Sequence, residues 1–292
     1  MATNVYQMVT DRIIAQLEQG IVPWQKPWHG APDGAISYTT RKPYSILNQM
    51  LLGKPGEYLT FNQINELGGK IKKGAKSKFV VFYKPMVIEE KIELTADGET
   101  TEKKKVIVVP ILRYYNVFHI DDTEGINSKS EESATSALEP IEQADQIITD
   151  YVKREKLKFV ATISDKACYS PIEDMVIVPA LEQYDIVEEY YSTTFHELVH
   201  STGHKDRCNR QELFGLAAFG SENYSKEELV AEIGSAMMLN RIGIDTQKSF
   251  KNSTAYIQGW LKKLKSDNKF IISASGKAEK AVKYILNINE EA

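Results

Sequence analysis

The chain has 292 residues, 42% of them hydrophobic, which suits one large or two ordinary packed domains and excludes a disordered chain. Its net charge of -4 divides unevenly: residues 1 to 128 carry 16 Lys plus Arg against 14 Asp plus Glu, and the remainder carries 20 against 26. An excess of only two positive charges in the first part rules out binding by bulk charge, so any polyanion must be held by local patterning.

In chain order, apolar periodicity predicts a helix over residues 3 to 19, a looped aromatic segment to 40, and short helices near 44 to 52 and 60 to 68. Strands are expected near 78 to 88, 90 to 95, 104 to 110 and 112 to 119, with Ala96-Asp97-Gly98-Glu99 as a turn. Residues 123 to 140 are rich in Ser, Thr and Glu and poor in large apolar side chains, the composition of a linker. Beyond it come a helix at 140 to 155, strands at 157 to 163 and 174 to 178, and helices at 186 to 202, 225 to 241, 250 to 265 and 274 to 288. The expectation is an α+β chain of two domains: an α/β domain with a small antiparallel sheet over 1–128, a linker over 129–139 and a second domain over 140–292.

The first 17 residues lack the continuous apolar stretch of a signal peptide, and the longest apolar run, 106 to 112, is broken by Pro110. Cys168 and Cys208 are too few for a disulfide framework and too far apart for a Cys-x-x-Cys metal site. A cytoplasmic protein with reduced thiols and no membrane partner is expected.

The chemistry is concentrated in Phe195-His196-Glu197-Leu198-Val199-His200-Ser201-Thr202-Gly203-His204. Residues four apart share one helix face, so His196 and His200 can grip one ion, Zn2+ above all, while Glu197 serves as general base. In a chain this poor in histidine the motif arises by chance on the order of once in a hundred. His204 could reach the ion only if Gly203 turned the chain. The ligand position of metzincins falls on Asp206, whereas a second helix could supply Glu228 or Glu232. Glu228 followed by an acid four residues on resembles the gluzincin peptidases and is preferred, with Glu232 hydrogen-bonding a ligand imidazole. Against that, Ser225-x-x-Glu228 also reads as a capping box serving only its own helix. Tyr191 and Tyr224 are the candidates for an oxyanion donor.

The first half carries a different pattern. Trp24, Lys26 and Trp28 lie between prolines and are followed by Arg41 and Tyr44; Lys70, Lys72, Lys73 and Lys76 precede a strand bearing Tyr83, and Tyr114 lies on a later one. Rings that stack on bases, interleaved with cations that follow phosphates, predict binding to single-stranded DNA. The bland alternatives are tryptophans that anchor a small core and lysines that are merely solvated.

Nearly the whole chain resembles the ArdC-type antirestriction proteins of conjugative plasmids. The resemblance rests on Pro23-Trp24-x-Lys26-Pro27-Trp28, Pro43-Tyr44-Ser45-x-x-Asn48, Leu59-Thr60-Phe61-x-Gln63, Leu67-Gly68-Gly69-x-Ile71-x-Lys73-Gly74 and Tyr115-x-Val117-Phe118, and on the histidine motif with Glu227-Glu228-Leu229-Val230-Ala231-Glu232. It implies a domain that binds single-stranded DNA fused to a zincin-like metallopeptidase domain, together protecting incoming DNA from host restriction. A DNA-bound protein would be the peptidase substrate. His119 and Cys208 depart from the family pattern, where Asn and Leu are usual. The alternatives are a DNA-coating protein with a structural or vestigial zinc site, and a DNA-dependent protease acting on proteins bound to DNA.

Overall fold

The computed structural model describes residues 4–25, 34–96, 99–129, 140–210, 222–244 and 254–288. Helix α1 (Val5–Glu18) is capped by Asn4 and buries Val9, Ile13, Ile14 and Leu17 along one face. Strand β1 (Ala35–Ser37), helix α2 (Ile46–Leu52), strand β2 (Gly56–Thr60) and helix α3 (Phe61–Glu66) follow. Two family motifs acquire a local cause here. Thr60 and Gln63 form a capping box at the start of α3. Ser45 caps α2, and Asn48 on that helix then pairs with the Val81 backbone, donating to its carbonyl at 2.9 Å and accepting from its N–H at 2.8 Å.

Strand β3 (Lys70–Ile71) leads into two long strands, β4 (Lys78–Ala96) and β5 (Glu99–His119), and then β6 (Thr123–Glu124) pairs back on β3. The main sheet has the order β1-β2-β5-β4. Asn48 therefore covers the edge strand with a side-chain copy of a ladder rung. The four strands expected between 78 and 119 are in fact two, without breaks at 89 or 111. Pro85 and Pro110 face each other at one rung, so both missing N–H groups fall at a single place and the ladder continues beyond it. Two residues of the expected turn, Asp97 and Gly98, lie outside the described residues. His119 is buried, accepts from the Asp121 N–H at 3.1 Å and sits 2.9 Å from the Pro55 carbonyl, so its departure from the family pattern is a matter of packing.

The second half opens with helix α4 (Pro140–Glu155), then β7 (Lys158–Thr162), β8 (Cys168–Ser170) and β9 (Met175–Pro179) in the order β7-β9-β8, with β8 antiparallel to β9 at the edge. Helices α5 (Val187–Ser201), α6 (Glu222–Ile242), α7 (Thr254–Ser266) and α8 (Phe270–Ile285) complete it. At Gly234 of α6 an added Cβ would lie 2.8 Å from a Val199 methyl, so only glycine lets α6 come this close to α5. Ser235 fixes the same approach by donating to the Ser192 carbonyl at 2.8 Å.

One apolar core runs through both halves, from Val9 and Ile13 of α1 to Phe195, Leu229 and Ala278. Trp24 meets Trp260 of α7 edge-on at 6.2 Å, Thr10 donates to the Asn268 carbonyl at 2.9 Å, and Glu279 accepts the Ile46 N–H at 3.2 Å. Among the described residues no helix is long and apolar enough to cross a membrane.

Candidate metal centre and nucleic-acid face

Helix α5 turns His196 and His200 toward α6, which brings Glu228 against them, and turns Glu197 toward β8. The two imidazole Nε2 atoms are 3.1 Å apart, and the Glu228 oxygens lie 3.5 Å from His196 Nε2 and 3.4 Å from His200 Nε2. Ligands at zinc–nitrogen and zinc–oxygen bond lengths in a tetrahedral site stand about 3.3 Å from one another. The three donors thus have the spacing that a single small divalent ion imposes. Among the described residues they form the one His, Cys, Asp and Glu grouping able to hold an ion. Burial would raise the Glu228 carboxyl, but hydrogen bonds from His196 and His200 outweigh it and hold the group well below the usual carboxylate range. Burial likewise disfavours a charged His200, yet Glu227 and Glu228 push its affinity for a proton up to about 10. The same carboxylate field favours any cation.

The support behind these side chains is more elaborate than the sequence indicated. Glu227 faces His200 Nδ1 at 3.3 Å, the contact that orients the ring and leaves Nε2 for the ion. The sequence assigned such an imidazole contact to Glu232; at His200 it is made by Glu227. Arg210 holds Glu227 in turn, with Nη2 at 2.6 Å from Oε1 and Nε at 3.0 Å from Oε2. The same guanidinium donates to Thr202 Oγ1 and the Val199 carbonyl, each at 2.7 Å. Arg207, nearby, clamps Asp174 at 2.8 and 2.6 Å and so ties the β8–β9 turn to the end of α5. Neighbouring residues on a helix point about 100° apart, so in sequence Glu227 reads as the solvated partner of Glu228. Arg210 follows a turn with no periodicity to mark it.

Glu197 is buried, and that burial pushes its carboxyl up against the pull of His196 and His200; the Tyr169 backbone N–H on β8 donates to it. His204 and Asp206 face each other at 3.5 Å, with the Asp206 side chain 75% exposed, so the metzincin arrangement does not form. Because α6 starts at Glu222, three residues before Ser225, Ser225 is inside the helix and the capping-box reading of Glu228 fails. Tyr191 is buried and donates to Asp145 at 2.8 Å, away from any oxyanion role, and the side chain of Tyr224 lies outside the described residues.

The DNA candidates separate into distinct groups. Trp24, at 3% exposure, is a core side chain against Trp260 and has no face for a base. Lys26 and Trp28 lie outside the described residues. Arg41 sits at a left-handed φ of +58° and pairs with the buried Glu57, while Lys72 Nζ donates to the Asp121 carbonyl at 2.7 Å. Lys70 stands opposite Glu124 in the β3–β6 pair; Lys73 and Lys76 are exposed. Tyr83 and Tyr114 are 54% and 40% exposed but belong to the hairpin face away from Tyr44, where Tyr114 meets Phe79. Period-two alternation puts Phe82 and Tyr115 on the Tyr44 face instead. There Tyr44 and Phe82 are 6.2 Å apart and Phe82 and Tyr115 6.1 Å, with exposed Arg113 on the rung opposite Phe82.

Two family models match the chain: the N-terminal domain of anti-restriction factor ArdC over residues 3–118, and a zincin-like metallopeptidase over 142–277. Crystal structures of the antirestriction ArdC protein from plasmid R388 superpose on it over 99% of this chain and 100% of theirs. The metal-free form has a TM-score of 0.71 at 29% identity, and the Mn(II)-bound form 0.73 at 28%. The chain belongs to the ArdC-type antirestriction family. Two Escherichia coli proteins called DNA primase TraC are each 29% identical over 98% of this ArdC-type chain, which spans 20% of the length of one and 27% of the other. An uncharacterized protein, y4eC, of Sinorhizobium fredii (strain NBRC 101917 / NGR234) is 27% identical over 95% of this chain and 90% of its own length.

Proposed function

We propose that this chain protects incoming plasmid DNA from host restriction by binding it single-stranded and by hydrolysing a peptide bond in a protein associated with that DNA. The observation that carries the enzymatic half is the triangle of His196, His200 and Glu228 donors beside a buried Glu197. A divalent ion held there, zinc by preference for two imidazoles and a carboxylate, supplies Lewis acidity that polarises a carbonyl and acidifies water. The Mn(II)-bound R388 protein supports a divalent ion in this family. Glu227 and Arg210 keep His200 in the tautomer and orientation that ligation needs. Glu197, whose basicity is raised by burial, accepts the proton of the attacking water and returns it to the leaving amine.

The DNA half rests on Tyr44, Phe82, Tyr115 and Arg113, ring faces and a cation in a row on one side of the hairpin. That exposed face also favours a second reading, in which coating the strand suffices and the metal site is structural. Glu197→Gln separates the two. The variant keeps fold, zinc by elemental analysis and DNA affinity, and on the enzymatic reading loses both proteolysis and protection of transferred DNA. Full protection by the variant makes the protein a coat.

A further inference from the structure

Strand β8 is three residues long and lies at the edge of its sheet, paired among the described residues with β9 alone. So short an edge makes few ladder bonds, and its distance from α5 depends on side chains that reach past the ladder. We infer that Asp174 is a positioning residue for Glu197: held by Arg207, it fixes Tyr169, and Tyr169 fixes the carboxylate.

Tyr169 makes two contacts in different directions. Its backbone N–H donates to Glu197, and its hydroxyl donates to Asp174 Oδ1 at 2.8 Å across the turn that joins β8 to β9. Asp174 has a left-handed φ of +45°, a conformation that is uncommon outside glycine and persists where the surroundings hold it. What holds it is the fork of Arg207, whose Nη1 and Nη2 meet the two carboxylate oxygens at 2.8 and 2.6 Å. Burial opposes a charged Asp174, but the bonds from Arg207 and Tyr169 outweigh it and keep the carboxyl below its usual range.

Arg207 is itself fixed on further sides. It donates to the carbonyl of Ser201, the last residue of α5, at 2.8 Å, and to Glu155 Oε2 at the end of α4 at 3.2 Å. Glu155 also accepts from the Tyr284 hydroxyl of α8 at 2.9 Å, so α4, α5 and α8 together anchor a guanidinium whose side chain is 3% exposed. The contacts close a loop: from Ser201 through Arg207, Asp174 and Tyr169 they return to Glu197, one turn upstream on the same helix. No metal donor belongs to that loop. Glu227 and Arg210 hold His200, whereas Arg207 and Asp174 hold Glu197, so the base can be disturbed with the ion in place.

That Glu197 is a base rests on the enzymatic reading above; its bond to Tyr169 does not. Amide hydrogen exchange in the full-length, zinc-loaded protein, resolved by NMR, reads that bond. Asp174→Asn keeps the side-chain shape and tolerates a left-handed φ, and it leaves Arg207 its contacts to Glu155 and Ser201. The expected result is exchange at the Tyr169 amide faster by about tenfold, with the amides of buried Val176 and Val178 on β9 little changed and zinc stoichiometry intact. Tyr169→Phe, which removes only the hydroxyl, gives the same pattern should Asp174→Asn fold poorly. With casein as the probe substrate, Asp174→Asn lowers kcat and leaves KM unchanged. A native protein that leaves casein intact, while the Tyr169 amide responds as stated, counts against the enzymatic reading and in favour of the clamp. If the Tyr169 amide exchanges at the native rate in both variants, if Tyr169, Val176 and Val178 accelerate equally, or if zinc is lost, Asp174 serves only the fold and the inference is wrong.

Discussion

Around His196 and His200 the polar groups are buried and answered by neighbours: Glu227 by Arg210, His200 by Glu227, Glu197 by the Tyr169 amide. On the Tyr44 face of the hairpin, by contrast, Phe82 and Tyr115 are 46% and 43% exposed and meet chiefly one another. The first region must hold atoms to a fraction of an ångström and uses buried charge to do so. The second, on the proposal that its rings stack on bases, has to accept any of them, and it is built from repetition along a strand. Damage to the centre should therefore appear as lost stability and metal, and damage to the hairpin face as lost affinity in a protein that stays folded.

The largest effect tests the buried end of that contrast. Arg210→Ala leaves Glu227 charged and buried beside His200, and breaking such a pair costs about 3–5 kcal/mol. Chemical denaturation measures it, and a loss under about 1 kcal/mol would mean that the pair is solvated and the centre looser than described. Trp24→Ala has an effect of similar size, about 3–5 kcal/mol, because it empties a core position against Trp260. Strand affinity of the folded variant should be unchanged; a folded, fully stable variant that binds DNA poorly would return Trp24 to the nucleic-acid surface.

Chelation comes next. At a free zinc concentration a hundred times the dissociation constant, the ion adds about 2.7 kcal/mol to stability. Removing it should lower the melting temperature of the native chain and leave His196→Ala/His200→Ala unaffected, whereas equal responses would place the metal elsewhere. On the hairpin, Phe82→Ala and Tyr115→Ala should each weaken single-stranded DNA binding by about 1–3 kcal/mol with melting temperature unchanged. The same loss from Tyr114→Ala, on the opposite face, would show that stacking does not follow the register of β4 and β5. The smallest effect is that of Asp206→Ala. Its exposed side chain predicts a change in stability within about 0.5 kcal/mol and unaltered metal stoichiometry.

The sequence by itself determined what depends on local repetition. Helix α5 and the shared face of His196 and His200 follow from 3.6-residue periodicity, and Glu228 followed by Glu232 marked the second helix, because spacing along one helix fixes which side chains meet. The helices of the first half were legible for the same reason, with caps at Asn4, Ser45 and Thr60. Tertiary structure alone decided the rest. Strands β1, β2, β3, β6 and β8 are two to five residues long, too short to carry a period, and exist through their partners. Whether Trp24 or Phe82 is the free ring depends on whether α7 covers it, and α7 lies more than 200 residues away in sequence from Trp24. Glu227 outranks Glu232 at His200, and Arg210 enters the centre, because of how α5 and α6 cross at Gly234. Hydrophobic patterning states which side of an element is buried, but contact between distant elements is settled by packing, where a single missing Cβ can set the distance at which two helices place their side chains around one ion.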